Sequence, residues 1–111
     1  MTKLYKNLPI EIKRILLISE GWLVGSAPEK LLNDEVPRDY DIVVPSAELF
    51  QLTCTLFAEY EVKINTFGGL KIKMGEIEVD VWVEELGHFI ISALKCGYIY
   101  NLKSAKLLKL I

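Results

Sequence analysis

Arg38-Asp39-Tyr40-Asp41-Ile42-Val43-Val44 is a β-rich run stopped by Pro45, the pattern of a strand end. Asp39 and Asp41 sit two apart on it, so their side chains share a face. A rise of about 3.3 Å per residue separates them by roughly 6.6 Å along the chain. Upstream, Trp22-Leu23-Val24 reads as a short buried strand closed by Gly25. Ser26-Ala27-Pro28-Glu29 then has the form of a capping box, so a short helix through Leu31-Leu32 is expected.

Apolar residues at Ile10, Ile12, Ile15, Leu16 and Ile18 predict an amphipathic helix over residues 8–19. Asn7 is its expected cap, Pro9 lies in its first turn and Gly21 ends it. Ser46 is placed to cap a further helix running to about Tyr60. Three extended runs follow, Glu61 to Asn65, Leu70 to Met74 and Glu76 to Val83, punctuated by Gly68-Gly69 and by a hairpin turn at Gly75. The last run alternates: Ile77, Val79, Val81 and Val83 face one way, Glu76, Glu78, Asp80 and Trp82 the other. Residues 84–94 lean helical, and residues 97–111 favour a hairpin over a helix. The order α-β-α-β-α-β-β-β predicts an α+β fold, a short mixed sheet with helices packed mainly on one face.

The chain has 111 residues, 51% of them hydrophobic and 25% charged, with 7 Gly and 4 Pro. These proportions exclude a disordered chain, a collagen and a coiled coil, and they fit one domain over residues 1–111. No apolar run approaches the roughly 20 residues of a membrane span. Cys54 and Cys96 are too few and too scattered for a disulfide framework. The expectation is a cytoplasmic protein with two buried thiols. Net charge is −2, so no global positive field draws in a nucleic acid, and Lys103, Lys106 and Lys109 read as a solvated face.

Chemistry concentrates at the carboxylates. Asp80 lies on a later strand, and adjacent strands are only about 4.8 Å apart. Three carboxylates gathered on apolar strands are costly unless a cation joins them. Magnesium, a hard oxygen-seeking ion, is the natural occupant, and paired catalytic metals sit about 3.5–4 Å apart. Glu78 shares Asp80's face and is the rival third ligand. Gly25 and Ser26, where a strand ends and a helix opens, form a candidate phosphate seat: Gly25 permits close backbone approach and Ser26 offers a hydroxyl.

Other residues have plainer readings. His88 is expected to be structural or exposed, and Cys54 to be core. Lys71 and Lys73 point away from the core, either for solubility of an edge or toward a triphosphate. Trp82 could stack on a base or pack beneath a helix.

Val24-Gly25-Ser26, twelve intervening residues, Asp39-Tyr40-Asp41-Ile42 and the later Val79-Asp80-Val81 resemble the nucleotidyltransferase signature of the DNA polymerase β superfamily. Residues 38–44 look most like the head domain of CCA-adding enzymes and bacterial poly(A) polymerases. Thr66-Phe67-Gly68-Gly69 is similar to the Phe-Gly-Thr segment of those heads, and residues 98–104 to their closing strand and turn. The chain departs from them at Gly25-Ser26-Ala27-Pro28-Glu29-Lys30, where they continue Gly-Gly-x-Val-Arg-Asp. It also lacks their Arg-Arg-Asp element, having residues 88–96 there.

The resemblance implies transfer of a nucleoside monophosphate from an NTP to an acceptor hydroxyl on RNA, protein or a small molecule. Asp39 and Asp41 would hold two Mg2+ ions, with Mn2+ as a substitute, and Asp80 would be base or third ligand. Gly25 and Ser26 would bind the nucleotide. A separate helical protein or a second copy would supply base reading. The alternative is a degraded module of the same fold that binds a nucleotide or a partner protein, including in an antitoxin-like role.

Overall fold

The computed structural model describes residues 3–65, 68–86, 90–92, 94 and 96–110. Helices α1 (Lys3–Asn7) and α2 (Ile10–Ser19) precede strand β1 (Trp22–Val24) and helix α3 (Ala27–Leu32). Strand β2 (Asp39–Val44), helix α4 (Ala47–Leu56) and strands β3 (Glu61–Ile64), β4 (Leu70–Met74) and β5 (Ile77–Val83) follow. A 3-10 turn over Glu84–Leu86 leads toward the closing strands β6 (Tyr98–Asn101) and β7 (Lys106–Lys109). The seven strands form one mixed sheet in the order β3-β4-β5-β2-β1-β6-β7. Only β2 and β5 run parallel; the other five neighbouring pairs are antiparallel. The expected α+β class and mixed sheet are present, with helices α1 to α4 on the main-core face and Ile90, in a helical turn, packed in the smaller cluster.

Side-chain alternation sorts the sheet into two faces. Tyr40, Ile42 and Val44 of β2 and Val79 and Val81 of β5 join Leu23, Ile72 and Tyr100 in the main core. Leu4, Ile12, Ile15 and Leu16 of the first helices, Leu31 of α3 and Phe57 cover them. Fully burying a side chain of this size contributes about 1.5–3 kcal/mol, so this layer dominates the stability of the fold. A smaller cluster of Val24, Val43, Trp82, Ile90 and Cys96 lies apart from it. Residues 39, 41 and 43 of β2 alternate away from the main core, as do residues 78, 80 and 82 of β5.

Several local expectations are corrected. The first helix is split, because Pro9 caps α2 instead of lying within its first turn, and α1 precedes it. Glu20, at φ 55°, is the left-handed residue that stops α2, and Gly21 answers a different need: a Cβ there would lie 2.6 Å from Ile42 Cγ2. Ser26 occupies the N-cap of α3, but its side chain accepts no bond from the helix, so the capping box does not form. Ser46 does cap α4, accepting from the Leu49 N–H at 3.2 Å, and that helix ends at Leu56, short of Tyr60. The β6–β7 hairpin is as expected, with Tyr98 paired to Lys109 and Asn101 to Lys106. Cys96 is buried whereas Cys54 is only half-buried. Thr66, Phe67 and His88 lie outside the described residues.

Candidate active site

Strand register brings the predicted carboxylates onto one face. The parallel pairing of β2 and β5 sets Asp39 beside Glu78 and Asp41 beside Asp80. On one flank β1 places Val24 opposite Asp41, and on the other β4 places Lys71 opposite Asp80. Asp39, at the start of β2, is exposed, while Asp41 and Asp80 are half-buried. Trp82, next along the same face, is packed in the small apolar cluster, which favours the packed indole over a base-stacking surface.

Asp41 is the most perturbed acid of the group. Burial, and then the negative charges of Asp80 and Asp39, push its carboxyl up to about 6, against the opposing pull of Lys71. Burial is the larger cause, and the neighbouring carboxylates add to it. Asp80 already has partners. Asn65 Nδ2 donates to its Oδ1 at 3.0 Å, and Lys71 Nζ lies 3.5 Å from its Oδ2 and 3.6 Å from Glu78 Oε2. The Lys71 ammonium is correspondingly held above its usual range, chiefly by Asp80.

Gly25 belongs to this site for a steric reason. Its φ is +73°, and a Cβ at this position would collide with Asp41 Oδ2 and come within 3.2 Å of Asp41 Cγ. Asp41 therefore lies directly over the Gly25 backbone. The Gly25 N–H donates to Cys96 Sγ at 3.0 Å, so it is already satisfied within the fold. Ser26 is exposed. Beyond Asp39 opens a cleft of about 800 Å3, lined by Arg38, Asp39, Lys73, Glu76 and Glu78 among others. That volume is within the usual range for small-molecule pockets.

The donor set suits magnesium in chemistry and placement: hard carboxylate oxygens on neighbouring strands, carrying excess negative charge. Among the described residues, however, no three His, Cys, Asp or Glu side chains are grouped closely enough to hold an ion as they stand. Asp80 is turned to Asn65 and Lys71. Asn65 and Cys96 are site neighbours that the sequence reading did not assign, and Lys71, read as an edge or triphosphate lysine, instead pairs with Asp80. Lys71 was signalled by its alternation with Lys73; Asn65 and Cys96 carried no local signal, because their contacts are made across the sheet. Gly69 completes the Asn65 corner. Its carbonyl accepts from the Asn65 N–H at 2.9 Å, and a Cβ there would lie 2.6 Å from Trp82 Cδ1.

No protein-family model and no curated protein matches the chain. Among solved structures it is similar to a CCA-adding enzyme in complex with ATP, with a TM-score of 0.67 and 18% identity over 96% of this chain and 31% of that one. A CCA-adding enzyme in complex with CTP gives 0.65 and 17%, over 96% and 30% of the two chains. The Thermotoga maritima CCA-adding enzyme complexed with tRNA gives 0.64 and 17%, again over 96% and 30%. The chain thus spans less than a third of the length of these structures and has the fold of a nucleotidyltransferase head domain.

Proposed function

We propose that this domain transfers a nucleoside monophosphate from an NTP to an acceptor hydroxyl, releasing pyrophosphate. One observation carries the reading: Asp41 lies in register with Asp80, on the face Asp39 shares, directly over the Gly25 backbone. Asp39 and Asp41 would hold Mg2+, which when bound supplies the charge neutralisation that a triphosphate needs. Asp80 would complete the ligand set or accept the proton of the attacking hydroxyl at its Oδ2. Ser26 would donate its hydroxyl to a phosphate oxygen, and Gly25 would let the phosphates approach the backbone. The cleft beside Asp39 would receive the acceptor, aligned for in-line attack. Fold likeness raises this reading; the placement of the carboxylates is its physical basis.

Two contacts favour the alternative, a module of this fold that binds without catalysing. The Gly25 N–H is committed to Cys96, and Asp80 to Asn65 and Lys71. Calorimetric titration of ATP, CTP, GTP and UTP, each with and without Mg2+, tests the triphosphate site, and release of pyrophosphate on addition of acceptor separates transfer from binding. Metal-dependent binding that disappears in the Asp39→Ala/Asp41→Ala double variant establishes the triphosphate site on which the transferase reading depends. A folded wild type that binds no NTP removes the transferase reading and leaves a protein-binding module.

A further inference from the structure

We propose that Lys71 is a resident counter-cation of the carboxylate face, which a divalent metal must displace from Asp80 before the site can load. The inference rests on the reading of Asp39, Asp41 and Asp80 as metal ligands.

The geometry of the ammonium carries the argument. Lys71 Nζ stands 3.5 Å from Asp80 Oδ2 and 3.6 Å from Glu78 Oε2. Both distances are within ion-pair reach, yet longer than the roughly 2.7–2.9 Å of a committed charge-assisted hydrogen bond. One ammonium is shared between two carboxylates and locked to neither. Asn65 Nδ2 meanwhile grips Oδ1 of the same aspartate at 3.0 Å, which leaves Oδ2 as the oxygen that changes partner. The β4–β5 register sets Lys71 opposite Asp80 and so holds the ammonium at this position.

Charge explains why the arrangement is displaceable. Among the described residues Lys71 is the cation ion-paired with Glu78 and Asp80, while Lys73 stands opposite Glu78 in the strand register without an ion pair. The one ion-paired ammonium does not balance the carboxylates of Asp39, Asp41, Glu78 and Asp80, so a dication has a net attraction that the lysine does not cancel. The lysine side chain is also 38% exposed, and a long flexible stem can swing into water at small cost. Its neighbour Lys73 lies two residues along the same strand and is more exposed. It forms no ion pair among the described residues, so it serves as the internal control.

Binding of Mn2+ alone, read as the loss of the free-ion EPR signal, tests the proposal without any turnover. Lys71→Met is expected to tighten Mn2+ binding by roughly three- to tenfold, from the loss of two partly exposed ion pairs. Lys71→Arg and Lys73→Met are expected to leave it near the wild-type value. In the wild type, Mn2+ should raise the acetylation rate of the Lys71 amine relative to Lys73, read by mass spectrometry. This second measurement decides the matter even if Lys71→Met fails to fold. Mn2+ that binds the wild type without changing Lys71 reactivity, or that binds Lys71→Met no more tightly, overturns the displacement alone. Folded wild type and Lys71→Met that both fail to take up Mn2+ overturn it together with the metal-site reading.

Discussion

Replacing Asp41 with asparagine should stabilise the protein while removing one of the proposed metal ligands. Asparagine has nearly the same shape and cannot ionise. The carboxyl of Asp41 moves from an ordinary value of 3.8 to about 6 in the fold, because burial and the charges of Asp80 and Asp39 disfavour its ionised form. Each pKa unit corresponds to about 1.36 kcal/mol, so ionised Asp41 costs the fold about 3 kcal/mol. The pH window follows from the direction of the shift. Below 3.8 the group is protonated in both folded and unfolded chains and costs nothing. Between 3.8 and 6 the unfolded chain ionises first and stability falls; above 6 the full cost is present. Urea unfolding followed by tryptophan fluorescence, on wild type and Asp41→Asn at pH 7.5, 6.0 and 4.5, reads this directly. The variant should gain about 3 kcal/mol at pH 7.5 and only about 1 kcal/mol at pH 4.5. Equal stabilities at pH 7.5, or a gain that does not change with pH, would refute the electrostatic account.

Two further outcomes follow from the same geometry. Gly25→Ala forces a left-handed backbone on a residue with a Cβ and drives that Cβ into the Asp41 carboxylate; it should cost about 1–3 kcal/mol in urea unfolding and weaken Mg2+-dependent NTP binding with it. Asn101→Ala removes donation to the Glu20 and Gly21 carbonyls and the acceptor for the Ser104 N–H, and should lower stability by about 2–3 kcal/mol in the same assay, with no effect on Mn2+ affinity because the residue lies away from the carboxylates.

An ionised Asp41 is therefore a liability to the fold that binding of a cation would relieve. The Asp41 cost is absent below 3.8 and complete above about 6, and bound metal should offset it at neutral pH by mass action. Lys71 softens the same conflict, at the expense of occupying Asp80.

Much of this protein is legible in its sequence, because period and punctuation are local properties. Alternation along residues 76–83 placed Val79 and Val81 on one face and Glu78 and Asp80 on the other, and the pleat allows no other arrangement. Ser46 marked the start of α4, and the hairpin at residues 98–109 was carried by its tyrosines and polar turn. The pairing of Asp39 with Asp41 needed only the two-residue period of a strand. Where the sequence reading erred, a tertiary contact had prevailed over a local preference. Gly21 looked like a helix stop and is required by Ile42 packing against it; Glu29 looked like half of a capping box that the α3 entry does not form.

Only the tertiary structure decided which strands are neighbours. The parallel register of β2 and β5 sets Asp41 beside Asp80 and Asp39 beside Glu78, and a slip of one residue would have sent Asp80 into the core. The same holds for the Gly25 N–H meeting Cys96, seventy-one residues away, and for Asn65 and Lys71 closing on Asp80. A sequence states which face a strand residue takes, because that follows from backbone geometry. It does not state which residue stands across from it, because that depends on the packing of the whole sheet.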